Sequence, residues 1–184
     1  MERKLHLMWD LETQDTISSA IVVSIGACVF DPNSDYIAEK VFYSTPNREM
    51  QELRGRTSSE ATMKWWSEQS TEARAVFEAP QIDPRRTLVE LAENIGQFDI
   101  EGVWGNGSDF DNTIMASFYN SYSIAPPWKF WKNRCHRTMK AVAQSTFEGY
   151  AGVRRVGTHH NALDDAMHQA RELQAIVKAL NIKV

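Results

Sequence analysis

Two acids near the amino terminus are the first residues whose side chains could bind a metal or take part in catalysis. The segment MWDLET places Asp10 and Glu12 two positions apart, at the end of an apolar run that predicts a strand. Side chains at i and i+2 share one face of a strand, so the two carboxylates converge. They repel each other unless a cation lies between them, and Mg²⁺ prefers oxygen ligands. Such a pair is also common by chance at an exposed strand end, so it predicts a metal site only together with further ligands.

A third acid comes from the segment WGNGSDFDNTIM, which offers Asp109 and Asp111. The helix predicted here buries Ile114 and Met115. Asp111 precedes these residues by three to four positions, which places it on the same side of the helix, toward the sheet. Asp109 falls outside that register and is better explained as a turn residue or helix cap. We therefore expect Asp111 to be the ligand.

The carboxy-terminal segment GTHHNALDDAMHQA supplies a histidine and a fourth acid. At about 100° per residue, Asp165 falls at the margin of the apolar stripe of the predicted helix, whereas Asp164 faces water. His160 precedes the helix, and an imidazole beside acids can take a proton from water near neutral pH. The alternative for any one of these residues is a helix cap or a solvated side chain. The stripe itself consists of Leu163, Ala166, Met167, Ala170, Leu173 and Val177.

The elements that must position these residues are three strands followed by helices that alternate with further strands. KLHLMWDLE, AIVVSIGACVFD and YIAEKVFYS predict an antiparallel three-strand meander, because a short turn at DPNSD separates the second strand from the third. Helical periodicity begins near Thr57, with Ser58 or Ser59 as the helix cap. Later strands, at IEGVWG and at the start of WKNRCHRTMK, are each followed by a helix. The pattern predicts an α/β fold with a mixed sheet.

The composition of the 184 residues indicates one domain, covering 1–184, that is large enough to bury its own core. The two cysteines, Cys28 and Cys135, favour a reducing compartment over a disulfide framework. No apolar stretch is long enough to span a bilayer, and the first residues lack the apolar core of a signal peptide. We therefore expect a cytoplasmic protein with no membrane partner.

The net charge of −4 argues against a protein that coats duplex nucleic acid electrostatically. An enzyme that grips nucleic acid locally is compatible with this charge, since an acidic metal centre lowers it while short basic pairs contact phosphates. Each pair is more simply explained as solvated surface. The pairs are Arg54/Arg56, Arg85/Arg86, Arg134/Arg137 and Arg154/Arg155.

Taken together, three motifs resemble the DEDD (DnaQ-like) exonuclease superfamily, in the DEDDh branch whose last motif carries histidine. The motifs are DLET from Asp10, FD at 110–111, and H-x-A-x-x-D-A at 160–166. They occur in the family's order and span nearly the whole chain. The segments AIVVSIGACVFDP, MKWWSEQS and VWGNGSDFDNTIM look most like phage-type exonuclease A and related bacterial exoribonucleases. Trp9 departs from the small β-branched residue usual at its position, which is expected to alter packing and not chemistry.

This resemblance implies a ribonuclease H-like mixed sheet flanked by helices. It implies a 3′–5′ exonuclease that hydrolyses single-stranded DNA or RNA to nucleoside 5′-monophosphates by a two-metal-ion mechanism. Asp10, Glu12, Asp111 and Asp165 would be the ligands of two Mg²⁺ ions, or of Mn²⁺ in their place, and His160 would be the general base. His159 and Asp164 would be neighbours without a role.

Expected substrate contacts flank these motifs. The backbone N–H of Thr13 is placed to contact the terminal nucleotide, and the resemblance puts Asn106 and Phe110 at the nucleotide's border. Trp65 and Trp66 lie about 100° apart on a helix, so one can pack inward while the other stacks on a base. We expect Trp66 to contact substrate. Inward packing of both rings and a core position for Phe110 are the alternatives.

Two other functions are alternatives to this one. A non-catalytic module that binds single-stranded nucleic acid on the same fold has no need for four acids and a histidine. A glycosidase built on a carboxylate pair leaves two acids and the histidine unexplained. A homodimer is a further expectation from the resemblance, with aromatic residues either forming its interface or packing internally. These residues are Tyr119, Tyr122, Trp128, Phe130 and Trp131.

Overall fold

The computed structural model describes residues 4–38, 42–147 and 152–184. Five strands form one sheet in this part of the chain, and they are β1 (Leu5–Thr13), β2 (Val22–Phe30), β3 (Phe42–Ser44), β4 (Ile100–Gly105) and β5 (Asn133–Cys135). The spatial order is β3-β2-β1-β4-β5. β1, β2 and β3 are antiparallel neighbours, whereas β4 runs parallel to β1 and β5 parallel to β4. The predicted mixed sheet, a meander followed by parallel strands, is confirmed.

Helices cover both faces of this sheet. In the described residues they are α1 (Arg48–Glu52), α2 (Glu60–Ser67), α3 (Thr71–Arg74), α4 (Pro84–Gly96), α5 (Thr113–Ser121), α6 (His136–Thr146) and α7 (Ala162–Leu180). Short 3₁₀ turns lie at Ala75–Glu78 and Phe130–Lys132, and one π-helical turn lies at Ser108–Asn112. Ser59, one of the two cap residues that the sequence left open, caps α2 by accepting from the backbone N–H of Thr62.

The third strand is shorter than its sequence pattern suggested. Ile37 makes an isolated bridge to Phe30, and the strand proper covers only Phe42–Ser44. Residues 39–41 of the prediction lie outside the described residues. None of the helices in the described part of the chain has the length and apolar character that a membrane span requires.

Alternation along β1 assigns its side chains to two different cores. Leu7, Trp9 and Leu11 pack with α4 and α5 on one face of the sheet. Met8 packs against α7 on the other face. Asp10 and Glu12 keep the register of Met8 and therefore face α7, because strand side chains alternate with a period of two. The predicted convergence of the two carboxylates thus takes place under α7.

Most of the aromatic residues proposed for a dimer interface belong to the core. Tyr119, Tyr122 and Trp128 are buried, which confirms the alternative that they pack internally. Phe130 and Trp131 are 77% and 61% exposed. A homodimer stays a prediction, and of the five aromatic residues proposed for its interface these two have exposed rings.

One glycine allows α7 to approach the sheet. Gly26 on β2 lies directly opposite Asp10 on β1. A Cβ atom at Gly26 would come within 2.1 Å of the backbone of Ala162 and Leu163, at the start of α7. Only a residue without a side chain permits this backbone-to-backbone contact.

We predict that Gly26→Ala destabilises the fold by about 3 kcal/mol or more, since the added methyl group must push helix and strand apart. Urea denaturation of the metal-free protein measures the change. Gly96→Ala is the matched control, because Gly96 ends α4 and has open space around it. The control should be neutral or slightly stabilising. Equal stability of the two variants would contradict the packing argument.

Candidate active site

Four carboxylates from three parts of the fold converge beneath the start of α7. Asp10 and Glu12 come from β1, Asp111 from the π-helical turn after β4, and Asp165 from the first turn of α7. Glu12, Asp111 and Asp165 are only 6%, 3% and 6% exposed. The four acids that the sequence singled out are brought together, since the charges of Asp111, Glu12 and Asp165 all act on Asp10.

The donor set at this point suits a hard divalent cation. Among the described residues, the ligand atoms of Glu12, His160 and Asp165 lie within 4.8 Å of one another. These three residues line a cavity of about 370 Å³, and Asp10 lines it too. Carboxylate oxygens are the ligands that Mg²⁺ and Mn²⁺ prefer, and oxygen ligands from several elements leave room for a substrate phosphate. The residues present fit the predicted metal ions.

The acids carry a proton more readily than ordinary carboxylates. Burial, reinforced by the charges of Asp165 and Asp111, raises the pKa of Glu12 to about 8. Burial likewise raises the pKa of Asp111 to about 7. The pKa of Asp10 is raised well above its usual value by burial and by its three acidic neighbours. The protein does not supply enough positive charge to balance these carboxylates. A bound cation would therefore displace the protons that they carry.

A hydrogen-bonded hub fixes the turn that carries Asp111. The indole Nε1 of Trp9 donates to Oδ1 of Asn112 at 2.8 Å. The Asn112 amide donates in turn to the carbonyl of Val103 and to Oδ1 of Asn133, both at 3.0 Å. Trp9 is fully buried, and its hydrogen bond joins β1 to the residue after Asp111. Asp109 is exposed, in agreement with the prediction that it is a turn residue.

The loop before α7 is shaped by both acids of the DD pair. His160 adopts a left-handed φ of 62°, and its backbone N–H donates to Oδ2 of Asp165 at 2.9 Å. Asp164 does not simply face water as predicted: its Oδ2 accepts from the backbone N–H of Thr158 at 2.7 Å. The helical projection missed this contact, because the preceding loop folds back over the helix start. Asn161 caps the helix by accepting from the backbone N–H groups of its first turn.

Two residues at the site had no predicted role there. Gln169 donates from Nε2 to Oδ1 of Asp10 at 2.7 Å, and its own Oε1 is buried without a partner among the described residues. Arg155 forms an ion pair with Asp165. Gln169 follows Asp165 by one helical turn, so helix periodicity would have indicated it. Arg155 was noted only as part of a basic pair, and nothing in its spacing connects it to Asp165.

The two tryptophans of α2 divide their roles. Trp66 is 2% exposed, and its indole Nε1 donates to the carbonyl of Thr13 at 2.8 Å. Trp65 is 40% exposed, and its ring centroid lies 4.9 Å from that of His160 in an edge-on arrangement. Trp66 packs inward, and more of the Trp65 ring is exposed. The residue that the sequence predicted as a substrate contact, Trp66, is therefore the less accessible of the two.

A second cavity, of about 600 Å³, adjoins the acidic one. Leu11, Glu12 and His160 line both cavities. The predicted contacts Thr13, Trp66 and Phe110 line the second cavity, and Asn106 lines the acidic one. Further lining residues of the second cavity include Trp65, Arg137 and Ser59. An apolar cleft with ring systems beside an acidic centre can hold a nucleotide while its phosphate lies at the acids.

The raised carboxylate pKa values predict an unusual dependence of stability on pH. Near neutral pH the folded protein still holds protons on Glu12 and Asp111, whereas the unfolded chain has released them. The metal-free protein should therefore lose stability between about pH 6.5 and 8, as measured by urea denaturation in chelator. Mg²⁺ should restore the loss, and Glu12→Gln should reduce the slope. Stability that rises over this range would refute the assignment.

The hydrogen bond from Gln169 predicts a positioning role for this residue. Gln169→Met keeps the side-chain volume but frees the Asp10 carboxylate, so affinity for Mn²⁺ should fall by about tenfold or more. Isothermal titration calorimetry without substrate measures the affinity. Gln174→Met is the matched control, because Gln174 lies on the same helix and its amide donates to the carbonyls of Asp31 and Tyr36, which are not part of the site. A similar loss in both variants would point to a general effect on α7.

Comparison with known proteins agrees with this geometry. The family model of the 3′-5′ exoribonuclease Rv2179c-like domain matches residues 5–177. No curated protein matches the chain. The nuclease domain of 3′hExo, a DEDDh family member solved with rAMP, superimposes with a TM-score of 0.65 at 11% identity and covers 96% of this chain and 93% of that one. Its fold is shared, which confirms the predicted ribonuclease H-like architecture.

Two further solved structures share the fold. Cell-death related nuclease 4 (CRN-4) has a TM-score of 0.67 at 13% identity, over 96% of this chain. The chain spans 64% of the length of that nuclease. A full-length 3′-exonuclease has a TM-score of 0.54 at 13% identity, over 97% of this chain and 84% of its own. With the fold, the acidic centre and the family match in agreement, the chain belongs to the 3′-5′ exoribonuclease Rv2179c-like domain family.

Proposed function

We propose that the domain shortens single-stranded RNA from its 3′ end by metal-dependent hydrolysis and releases nucleoside 5′-monophosphates. The observation that carries this proposal is the convergence of four acids, three of them almost fully buried, with His160 at the mouth of an aromatic cleft. RNA is preferred over DNA as the substrate because the matched family is one of exoribonucleases.

Asp10, Glu12, Asp111 and Asp165 would hold two Mg²⁺ ions, and Mn²⁺ is the alternative. When bound, such ions lower the pKa of a coordinated water and neutralise the charge that builds up on the phosphodiester. The protein's part is to hold the four carboxylates at one place from three elements. Gln169 orients Asp10, and the backbone N–H of His160 orients Asp165.

His160 would take the proton from the attacking water. Its pKa is lowered from the ordinary histidine value, mainly by burial and next by the neighbouring His159. The imidazole is therefore neutral at pH 7 and able to accept a proton. As the water adds to phosphorus, the bond from phosphorus to the 3′ oxygen breaks and the terminal nucleotide leaves with its 5′ phosphate.

The terminal nucleotide would lie in the second cavity. Trp65 offers an exposed ring for base stacking, and Phe110 and Arg137 line the same cleft. Trp66 supports this wall from behind, because its bond to the carbonyl of Thr13 ties α2 to the end of β1. Trp66 and Thr13 both line the cleft, and direct contact of either residue with the nucleotide stays a prediction.

The cleavage assay uses 5′-labelled single-stranded RNA, with DNA of the same sequence beside it. We expect a ladder that shortens from the 3′ end with Mg²⁺ or Mn²⁺ and disappears with chelator. Asp111→Asn should lower the rate by at least about 100-fold, since a ligand is lost. Asp109→Asn is the matched control and should stay near the wild-type rate. His160→Ala should lower the rate by about 10²- to 10⁴-fold.

Binding of RNA by a wild-type protein that cleaves neither strand with any metal would overturn the proposal. That result would favour the non-catalytic module that binds single-stranded nucleic acid. Faster shortening of the DNA strand would change the substrate and leave the chemistry intact. Equal losses in Asp109→Asn and Asp111→Asn would refute the assignment of Asp111 as the ligand.

A further inference from the structure

A cation of the protein itself lies among the proposed metal ligands. Nη2 of Arg155 pairs with Oδ1 of Asp165, and Arg155 lines the acidic cavity together with Asp10 and Glu12. The ion pair is partly screened from water, because the Asp165 side chain is only 8% exposed and that of Arg155 30%. A divalent ion bound to Asp165 would have to share this carboxylate with the guanidinium or displace it.

The second nitrogen of the same guanidinium has no acceptor. Nη1 of Arg155 is buried without a hydrogen-bond partner among the described residues. Leaving a charged donor buried and unpaired is costly, so this arrangement favours the arrival of an acceptor. The other cation that lines the cavity, Lys140, is already paired with Glu172 at 3.0 Å. Arg155 thus combines a permanent positive charge with a buried donor that has no acceptor among the described residues.

We propose that Arg155 is a resident counter-ion that divalent metal displaces from Asp165, and that the displaced guanidinium then donates to the phosphate of the RNA substrate. A planar guanidinium matches two phosphate oxygens at once, which a lysine ammonium cannot do. The inference rests on the proposed function, since it takes Asp165 as a metal ligand and a phosphodiester as the incoming anion.

The neighbouring Arg154 provides the contrast within the same loop. Arg154 is exposed, whereas Arg155 is partly buried. Gly152 and Gly157 enclose the pair, with φ values of +72° and +93° that favour glycine. Gly157 also packs against the Asp164 carboxylate. The loop is therefore anchored to α7 on the side where Arg155 points to Asp165, and Arg154 is a control of the same type and charge.

The first experiment measures Mn²⁺ binding without RNA by isothermal titration calorimetry, in wild type, Arg155→Met and Arg154→Met. Removal of the competing cation should tighten Mn²⁺ binding by about threefold or more in Arg155→Met and leave Arg154→Met unchanged. A merely structural role for Arg155 would weaken binding or leave it unchanged, and either result overturns the proposal. Circular dichroism checks that each variant is folded.

The second experiment measures kcat and KM for single-stranded RNA at saturating Mn²⁺. Loss of the phosphate contact should raise KM by about tenfold or more in Arg155→Met, although its metal binding is tighter. Arg155→Lys keeps the charge and the fold, and should recover KM only in part. An unchanged KM in Arg155→Met overturns the transfer to phosphate.

Failure of the proposed function has a different signature in the same data. A wild-type protein that neither binds Mn²⁺ nor cleaves RNA would refute the metal-dependent activity itself. A wild-type protein that does both, beside an Arg155→Met variant that matches it in Mn²⁺ affinity and in KM, would refute the role of Arg155 alone.

Discussion

The site depends on one close contact between backbones, where the start of α7 rests on Gly26 of β2. Gly26 is the partner of Asp10 in the β1–β2 ladder, so the helix start is held directly over the strand that carries Asp10 and Glu12. Asp165 belongs to the first turn of that helix and is delivered to the same point. A side chain at position 26 would separate the fourth acid from the first two. The placement of Asp165 beside Asp10 and Glu12 thus depends on the absence of a side chain at position 26.

This packing brings four carboxylates together, and their mutual repulsion is unfavourable without a cation. The fold offsets the repulsion only in part, through the amide of Gln169 on Asp10, the guanidinium of Arg155 on Asp165 and the backbone N–H of His160. Protons supply the remainder, since burial and mutual repulsion raise the pKa of Asp10, Glu12 and Asp111. Asp165 has a cationic partner within the protein in Arg155, whereas the charges that act on Glu12 are those of other acids. Such incomplete pairing distinguishes a candidate metal centre from a buried ion-pair network.

The sequence was sufficient to predict the position of a side chain where the periodicity of a strand or helix determines which way it faces. Alternation along β1 placed Asp10 and Glu12 on one face, and helical register placed Asp111 toward the sheet and Asp165 at the margin of the apolar stripe. Asp111 was assigned correctly to the buried side although its segment is a π turn rather than an α-helix, because the turn continues directly into α5. Asp109 is exposed and Asp111 is buried, as predicted for an α-helix, although both residues lie in a π-helical turn.

Sequence reasoning was insufficient where a side chain meets something distant along the chain. Asp164 accepts a hydrogen bond from a loop that a helical projection does not include, and Arg155 pairs with an acid ten positions further along the chain. Helical register indicates Gln169 as a neighbour of Asp165, but it does not indicate that the partner of Gln169 is Asp10. The sequence did not show which of Trp65 and Trp66 is buried, because that depends on which other element packs against each ring. Here the carbonyl of Thr13, 53 positions away, captures the Trp66 indole. No local pattern encodes such a contact, since it exists only once β1 and α2 are assembled.

The shared wall of the two cavities explains how recognition and chemistry are joined in the proposed function. Glu12 and His160 line both cavities, and the His160 ring contacts Trp65 edge-on at 4.9 Å between centroids. A base that stacks on Trp65 would therefore also restrict the imidazole that takes the proton. The left-handed backbone of His160 and its N–H bond to Asp165 fix the other side of the same residue. His160 is thus held by the acidic centre through its backbone and by the nucleotide cleft through its ring, so a correctly seated 3′ end would complete the alignment of the base.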